Sequence, residues 1–323
     1  MLGFIGMEHP GEEFELSFSR PPLSERSGMP ILMAFGDPVT GPYMGMFYDA
    51  PSTPEQLAGP PDLTPAHAHA CDNFRICMVG ELWVGQERYH HGEFRIQESG
   101  KPYGADGDAP HAEGNWRLIM FADRRGHRVR PVNPEPRAEI DAKRQATIDY
   151  FAPHLPVLLD DDDRGVVGMG TNLGARSRIG HIDGSFPDVD AWDPIGHGAR
   201  VAAALLGLPD LGCLVMLVRT PPGEVAAPAG VYDSDTFRCV IAGRCVIAGS
   251  AVVAGKQLQM GDVMVKAAGR PWPAIVAGPD GLDDCFVVGD RRGAVPRTDD
   301  GEWADEIRAL VARLTADVRI PAR

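Results

Sequence analysis

Residues 65–81 read PAHAHACDNFRICMVGE, and this stretch decides the fold. From Arg75 to Val79 it is a short run of β-favouring residues that stops at Gly80, the form of a strand ended by a turn. Ahead of that run stand His67 and His69, two residues apart, so on an extended chain both imidazoles lie on one face. Further short strands bounded by turn residues follow at Glu81 to Val84, Phe94 to Gln97 and Trp116 to Phe121.

Working outward, the stretch belongs to a longer pattern that occurs twice. The first copy runs MGMFYDAP, DNFRICMVGELWVG, HGEFRIQESGKPYG, WRLIMFADRRG; the second runs LVMLVRTPPG, SDTFRCVIAGRCVIAG, MGDVMVKAAGRPWP, CFVVGDRRG. Four segments keep their order and approximate spacing, with D-x-F-R ahead of an apolar strand and D-R-R-G at the end of each copy. This is an internal duplication, covering roughly Met33 to Gly126 and Leu211 to Gly293. Each copy is a β-barrel or sandwich.

Between the copies, RAEIDAKRQATIDYFAPHL has the apolar spacing of a helix, an acidic run follows at Asp160 to Asp163, and a second helix is expected around Gly198 to Leu206. The acidic run reads as a solvated loop. A terminal amphipathic helix is expected from Glu302 to Val318. The expected division is therefore an N-terminal barrel over 1–135, a helical and loop linker over 136–206, a second barrel over 207–295 and a C-terminal helix over 296–323.

Composition narrows the function. The 323 residues carry 31 Lys plus Arg against 45 Asp plus Glu, a formal charge of -14 that repels phosphate backbones and anionic membranes, so a nucleic-acid or membrane partner is not expected. No apolar run approaches the roughly 20 residues that span a bilayer. The first residues have no basic flank of the secretory kind, and the six cysteines form no CxxC pair, so a cytoplasmic protein with reduced thiols is expected.

His67 and His69 on one strand face present two neutral nitrogen donors, and His111, ahead of the strand from Trp116, is the natural third. This pattern resembles the two motifs of the cupin superfamily. His67, His69 and Gly80 match the first; Gly92, Pro102-Tyr103-Gly104, His111 and Asn115 match the second; the family's glutamate position holds Asn73, and the spacings from Gly92 to Pro102 and from Gly104 to His111 are longer than usual. The resemblance implies an all-β protein of two tandem cupin-like, double-stranded β-helix barrels. It also implies a divalent metal on His67, His69 and His111, with Fe(II) the leading ion and Zn, Mn, Ni or Cu the alternatives.

Without the carboxylate such an ion keeps its full charge, and similar three-histidine sites belong to dioxygenases that cleave C–C bonds in diketones or hydroxylated aromatic acids. A small-molecule substrate and O2 are then the expected partners, with a homodimer as a further expectation. A redox-silent metal enzyme (lyase, isomerase or decarboxylase) and a non-catalytic metabolite binder are the competing readings.

Around the histidines, Arg75, Tyr103 and Glu113 are the candidate catalytic side chains: a guanidinium to hold a carboxylate, and a phenol or carboxyl to move protons. Asp72 is the nearest carboxylate to replace the missing glutamate, although strand alternation puts it on the opposite face from Asn73. Cys71 reads as a small buried thiol, and His90 and His91 as solvent-facing turn residues. The second copy has Gly230 and Tyr232 in place of the His pair and no counterpart of His111, so it cannot hold the same metal.

Overall fold

A computed structural model describes residues 3–5, 13–16, 31–37, 40–124, 129–133, 138, 142, 178–181, 192–208, 211–248 and 257–316. The duplication appears directly as a repeated strand order. One antiparallel sheet runs Gly3–Ile5, Ile31–Ala34, Tyr43–Asp49, Asn115–Phe121, Asn73–Val79, Glu93–Gln97, Arg178–His181. The other runs Asp193–Pro194, Arg200–Leu206, Cys213–Thr220, Ala274–Val288, Thr236–Ala248, Val263–Lys266, Glu13–Leu16, with Val225–Ala227 and Gln257–Gln259 attached beside this path. Position by position, the two orders are the same.

That correspondence corrects one expectation. Residues 200–206 form a strand, the second copy's counterpart of Ile31–Ala34, rather than a linker helix. The run RVAAALL is rich in helix formers, but pairing along all seven residues with Cys213–Thr220 outweighs that weak intrinsic preference. The helix expected from Arg137 lies, apart from Ala138 and Ala142, outside the described residues, as does the acidic run at 160–163. Each sheet also ends on a strand from outside its own repeat: Arg178–His181 pairs with Glu93–Gln97, and Glu13–Leu16 with Val263–Lys266.

Alternation along the strands divides the buried residues into two environments. On Asn73–Val79, the side chains of Phe74, Ile76 and Met78 join those of Leu118 and Met120 and meet Phe237, Cys239, Val263 and Cys285 of the second copy in one apolar cluster. The sheets therefore pack face to face. At this seam a Cβ built on Gly261 (φ +87°) would lie 1.9 Å from the Trp116 indole, so only glycine admits the ring.

The other face of each sheet looks into its own barrel. In the first, the opposite wall is the sheet of Asp106–Asp108, Leu82–Val84 and Glu87–Tyr89, together with the paired strands Val129–Pro131 and His67–His69. In the second, Val201, Met216, Met264, Ile275 and Phe286 fill the interior around Tyr232 and Trp272. The helix Gly301–Ala316 covers it with Trp303, Ile307, Leu310 and Leu314, one apolar stripe at helical spacing. This helix matches the expected one to within two residues at either end. No described helix is long and apolar enough to cross a membrane.

Candidate active site

The strand His67–His69 is fixed on both edges. It pairs with Val129–Pro131 on one side, and on the other His67 exchanges backbone hydrogen bonds with Tyr103 at 3.2 and 3.0 Å. Both imidazoles are buried, at 3 % exposure each. Their ring centroids are 5.2 Å apart, and the ring of Phe121 lies 4.9 Å from that of His69.

The hydrogen bonds assign the His67 tautomer. Nδ1 lies 2.7 Å from the Pro65 carbonyl, which only accepts, so Nδ1 carries the proton and Nε2 presents its lone pair inward. The Tyr103 hydroxyl, 2.6 Å away, donates to Nε2 and in turn accepts from Arg75 Nη2. Arg75 Nη1 donates to Asp106, and its guanidinium carbon lies 4.7 Å from the Tyr103 ring centre. The result is a buried relay running Asp106, Arg75, Tyr103, His67. Burial alone would weaken the charge on Arg75, but the adjacent Tyr103 and Asp106 more than offset this and push its pKa up, so it stays a cation.

Two further arginines share this interior, and each is matched by a carboxylate. Arg95 donates to Glu87, to the Tyr89 hydroxyl at 2.8 Å and to Gln97 at 2.8 Å. Arg117 pairs with Asp108 and lies 3.9 Å from Asp49; burial lowers its pKa. Asp106 and Asp108, two apart on one strand, thus serve Arg75 and Arg117 respectively. Sequence reasoning passed over both aspartates and Arg95 and Arg117. The alternating D-G-D of residues 106–108 was the signal available for the aspartates.

Of the expected site residues, the structure brings together His67, His69, Tyr103 and Arg75. His111 stands apart from them. Its ring Nδ1 accepts from the Glu113 backbone N–H at 3.2 Å, and its main chain bonds to Ser52 in both directions. Among the described residues no three His, Cys, Asp or Glu side chains are grouped to hold a metal. The three-histidine set expected from sequence is therefore not assembled here, because a local turn, Ser52 to Gly114, takes up His111. The pair could hold a borderline divalent ion: two imidazoles are adjacent, and a backbone carbonyl orients that of His67 as in ligating histidines.

Glu113 is exposed on the loop beyond His111, and His90 and His91 are exposed as expected. Asp72 does not point at the histidines: its carboxylate accepts from the backbone N–H of Ser99 and of Gly207, each at 2.8 Å. Cys71 is fully buried, and burial pushes its thiol well up. Asn73, at the family's glutamate position, is fully buried on the same strand face as Arg75.

In the second barrel the counterpart of Arg75 is Arg238, which donates to Asp284 at 3.0 Å, and Tyr232 is buried in the apolar filling. Burial pushes the Asp284 carboxyl up to about 6 against the pull of Arg238.

No protein-family model and no curated protein matches the sequence. Solved structures are similar at low identity. A cupin 2 conserved barrel domain protein from Leptotrichia buccalis aligns at 12% identity and TM-score 0.46, over 88% of this chain and 99% of that one. Salicylate 1,2-dioxygenase from Pseudaminobacter salicylatoxidans aligns at 15% and 0.43, over 78% and 71%. Oxalate decarboxylase from Bacillus subtilis aligns at 13% and 0.40, over 85% and 76%. In its own repeated strand order, the chain is an all-β protein of two tandem barrels.

Proposed function

We propose that the chain is a metal-dependent enzyme of small oxygenated molecules, with its chemistry confined to the first barrel. The observation that supports this is the contrast between the two interiors. One is lined by a histidine pair and a buried hydrogen-bonded chain from Asp106 to His67; the other is filled mainly by apolar side chains around the Arg238–Asp284 ion pair and is capped by a helix. A buried polar network of this kind is costly unless its groups are satisfied, and active sites are where such networks are kept.

His67 and His69 would hold the ion, with its other positions open to substrate and solvent. The reaction favoured for such a neutral donor pair is cleavage of a C–C bond by O2 in an O,O-chelating substrate, such as a diketone or a hydroxylated aromatic acid. Iron(II), when bound, would supply the redox chemistry with dioxygen. The protein's own contribution is positional. Arg75 clamps the Tyr103 hydroxyl from one side and Asp106 from the other, so the phenol proton is aimed at His67 and is available to a substrate oxygen that takes its place. Since each interior arginine is matched by a carboxylate, a substrate's anionic oxygen would be drawn to the ion rather than to a guanidinium.

The test is oxygen uptake by iron-loaded protein over a panel of O,O-chelating compounds: diketones, hydroxylated aromatic acids and hydroxycarbonyl compounds. Substrate-dependent uptake that disappears in Tyr103→Phe or the His67→Ala, His69→Ala double variant supports the reading. Turnover of the same panel with zinc under anaerobic conditions would replace it with redox-silent Lewis-acid chemistry.

A further inference from the structure

Asn73 differs from the other polar groups of the first barrel. It is 0 % exposed, and neither its Nδ2 nor its Oδ1 has a hydrogen-bond partner among the described residues. Both register neighbours leave it so. Gln97 directs its amide to Arg95 Nη2 and to the Lys101 carbonyl, and Phe121 offers only a ring, which packs on His69. Alternation with Phe74 and Ile76, which face the other sheet, turns Asn73 into the barrel beside Arg75 and on the wall that carries the His69 contact. A buried amide left in this state costs about 1–3 kcal/mol for each unmet group, a penalty that apolar residues of the same size avoid.

We propose that Asn73 is a specificity-determining residue that pairs with the ligand of this barrel, and that the ligand is a neutral hydroxycarbonyl compound. The amide offers one donor and one acceptor side by side, so its complement is a carbonyl oxygen next to a hydroxyl. A diketone supplies acceptors only and leaves Oδ1 unmet. A simple carboxylate likewise supplies acceptors only, so it too leaves Oδ1 unmet. The inference rests on the reading that the first barrel is the reacting half, and within the O,O-chelating class it selects hydroxycarbonyl compounds over diketones and carboxylic acids.

The experiment compares wild type with Asn73→Leu, and with Asn73→Ala in case leucine does not fit. Melting temperature and binding of three probes are measured: hydroxyacetone, butane-2,3-dione and lactate. Without a probe, Asn73→Leu is expected to melt about 2–4 °C above wild type, because an unmet amide is removed from the core. Hydroxyacetone is expected to bind wild type more tightly than either other probe, and to lose about tenfold in affinity in both variants. A lower melting temperature for both variants, or unchanged hydroxyacetone affinity, overturns the assignment. If wild type binds no hydroxyacetone while His67 and His69 still take up a divalent ion, the substrate class falls and the metal reading stands. If hydroxyacetone binding depends on Asn73 but the histidines take up no ion, Asn73 keeps its role and the metal reading falls.

Discussion

Asp72 and Asp235 make the same pair of hydrogen bonds in opposite directions. Each begins its copy's D-x-F-R motif, and each uses one carboxylate oxygen within its own copy and the other across the seam. Asp72 accepts from Ser99 N and from Gly207 N of the other copy, both at 2.8 Å; Asp235 accepts from Ala268 N at 2.9 Å and from Gly36 N of the other copy at 2.7 Å. The second repeated motif acts nearby. In D-R-R-G, the first arginine ties the end of its own copy back to that copy's start: Arg124 donates to Phe35 O and Arg291 to Leu208 O, both at 2.8 Å. The repeated aspartates thus tie the two barrels together, and the repeated arginines close each copy on itself.

Replacing either aspartate leaves two backbone donors unmet, buried ones at Asp72 and part-buried ones at Asp235. Asp72→Ala and Asp235→Ala are each expected to destabilise the chain by about 2–4 kcal/mol, with similar losses because the contacts are reciprocal. Denaturant unfolding checks this, and a large loss for one with none for the other would show that the pseudo-symmetry does not extend to energetics.

The same seam is closely packed at Trp116. Gly261→Ala places a methyl inside the indole's space and holds a non-glycine residue at φ +87°, so a loss of about 1–3 kcal/mol or more is expected. Paired with Trp116→Leu, which makes room, part of that loss should return in a double-mutant cycle. Full additivity would mean that the two residues do not meet.

Asp284 gives a pH dependence of known sign. Its folded pKa of about 6 exceeds the ordinary 3.8, so between those values the native state binds more protons than the unfolded chain. Its contribution to stability is therefore greatest below about pH 4, falls as pH rises through that window and is flat above about 6. Asp284→Asn is expected to remove this part of the slope in urea unfolding measured from pH 4 to 7. An unchanged slope would assign the window to other groups.

At the histidine pair, Tyr103 competes with an ion for His67 Nε2. Tyr103→Phe removes that hydrogen bond, and zinc is expected to bind about fivefold more tightly by calorimetry, the equivalent of roughly 1 kcal/mol. Weaker binding would instead make the phenol oxygen one of the donors.

Much of this architecture was legible in the sequence. Short strands, the repeat and the burial of His67 and His69 follow from alternation and turn residues, which act locally. The strand Arg200–Leu206 was not legible, since its alanines favour a helix and only pairing with Cys213–Thr220 decides otherwise. Nor was the role of Asp72, because a carboxylate's partners depend on which backbone N–H groups the fold brings to it, here one from 135 positions away. His111 matched a motif by type and spacing, yet a turn with Ser52 and Glu113 sets where its ring points.

The most direct measurement is elemental analysis of protein purified without a chelating tag and reconstituted with iron(II), alongside His67→Ala, His69→Ala and a separate His111→Ala variant. The expected result is close to one ion per chain in wild type and in His111→Ala, and none in the double variant. An ion retained in the double variant, or no ion in wild type after reconstitution, would contradict the account.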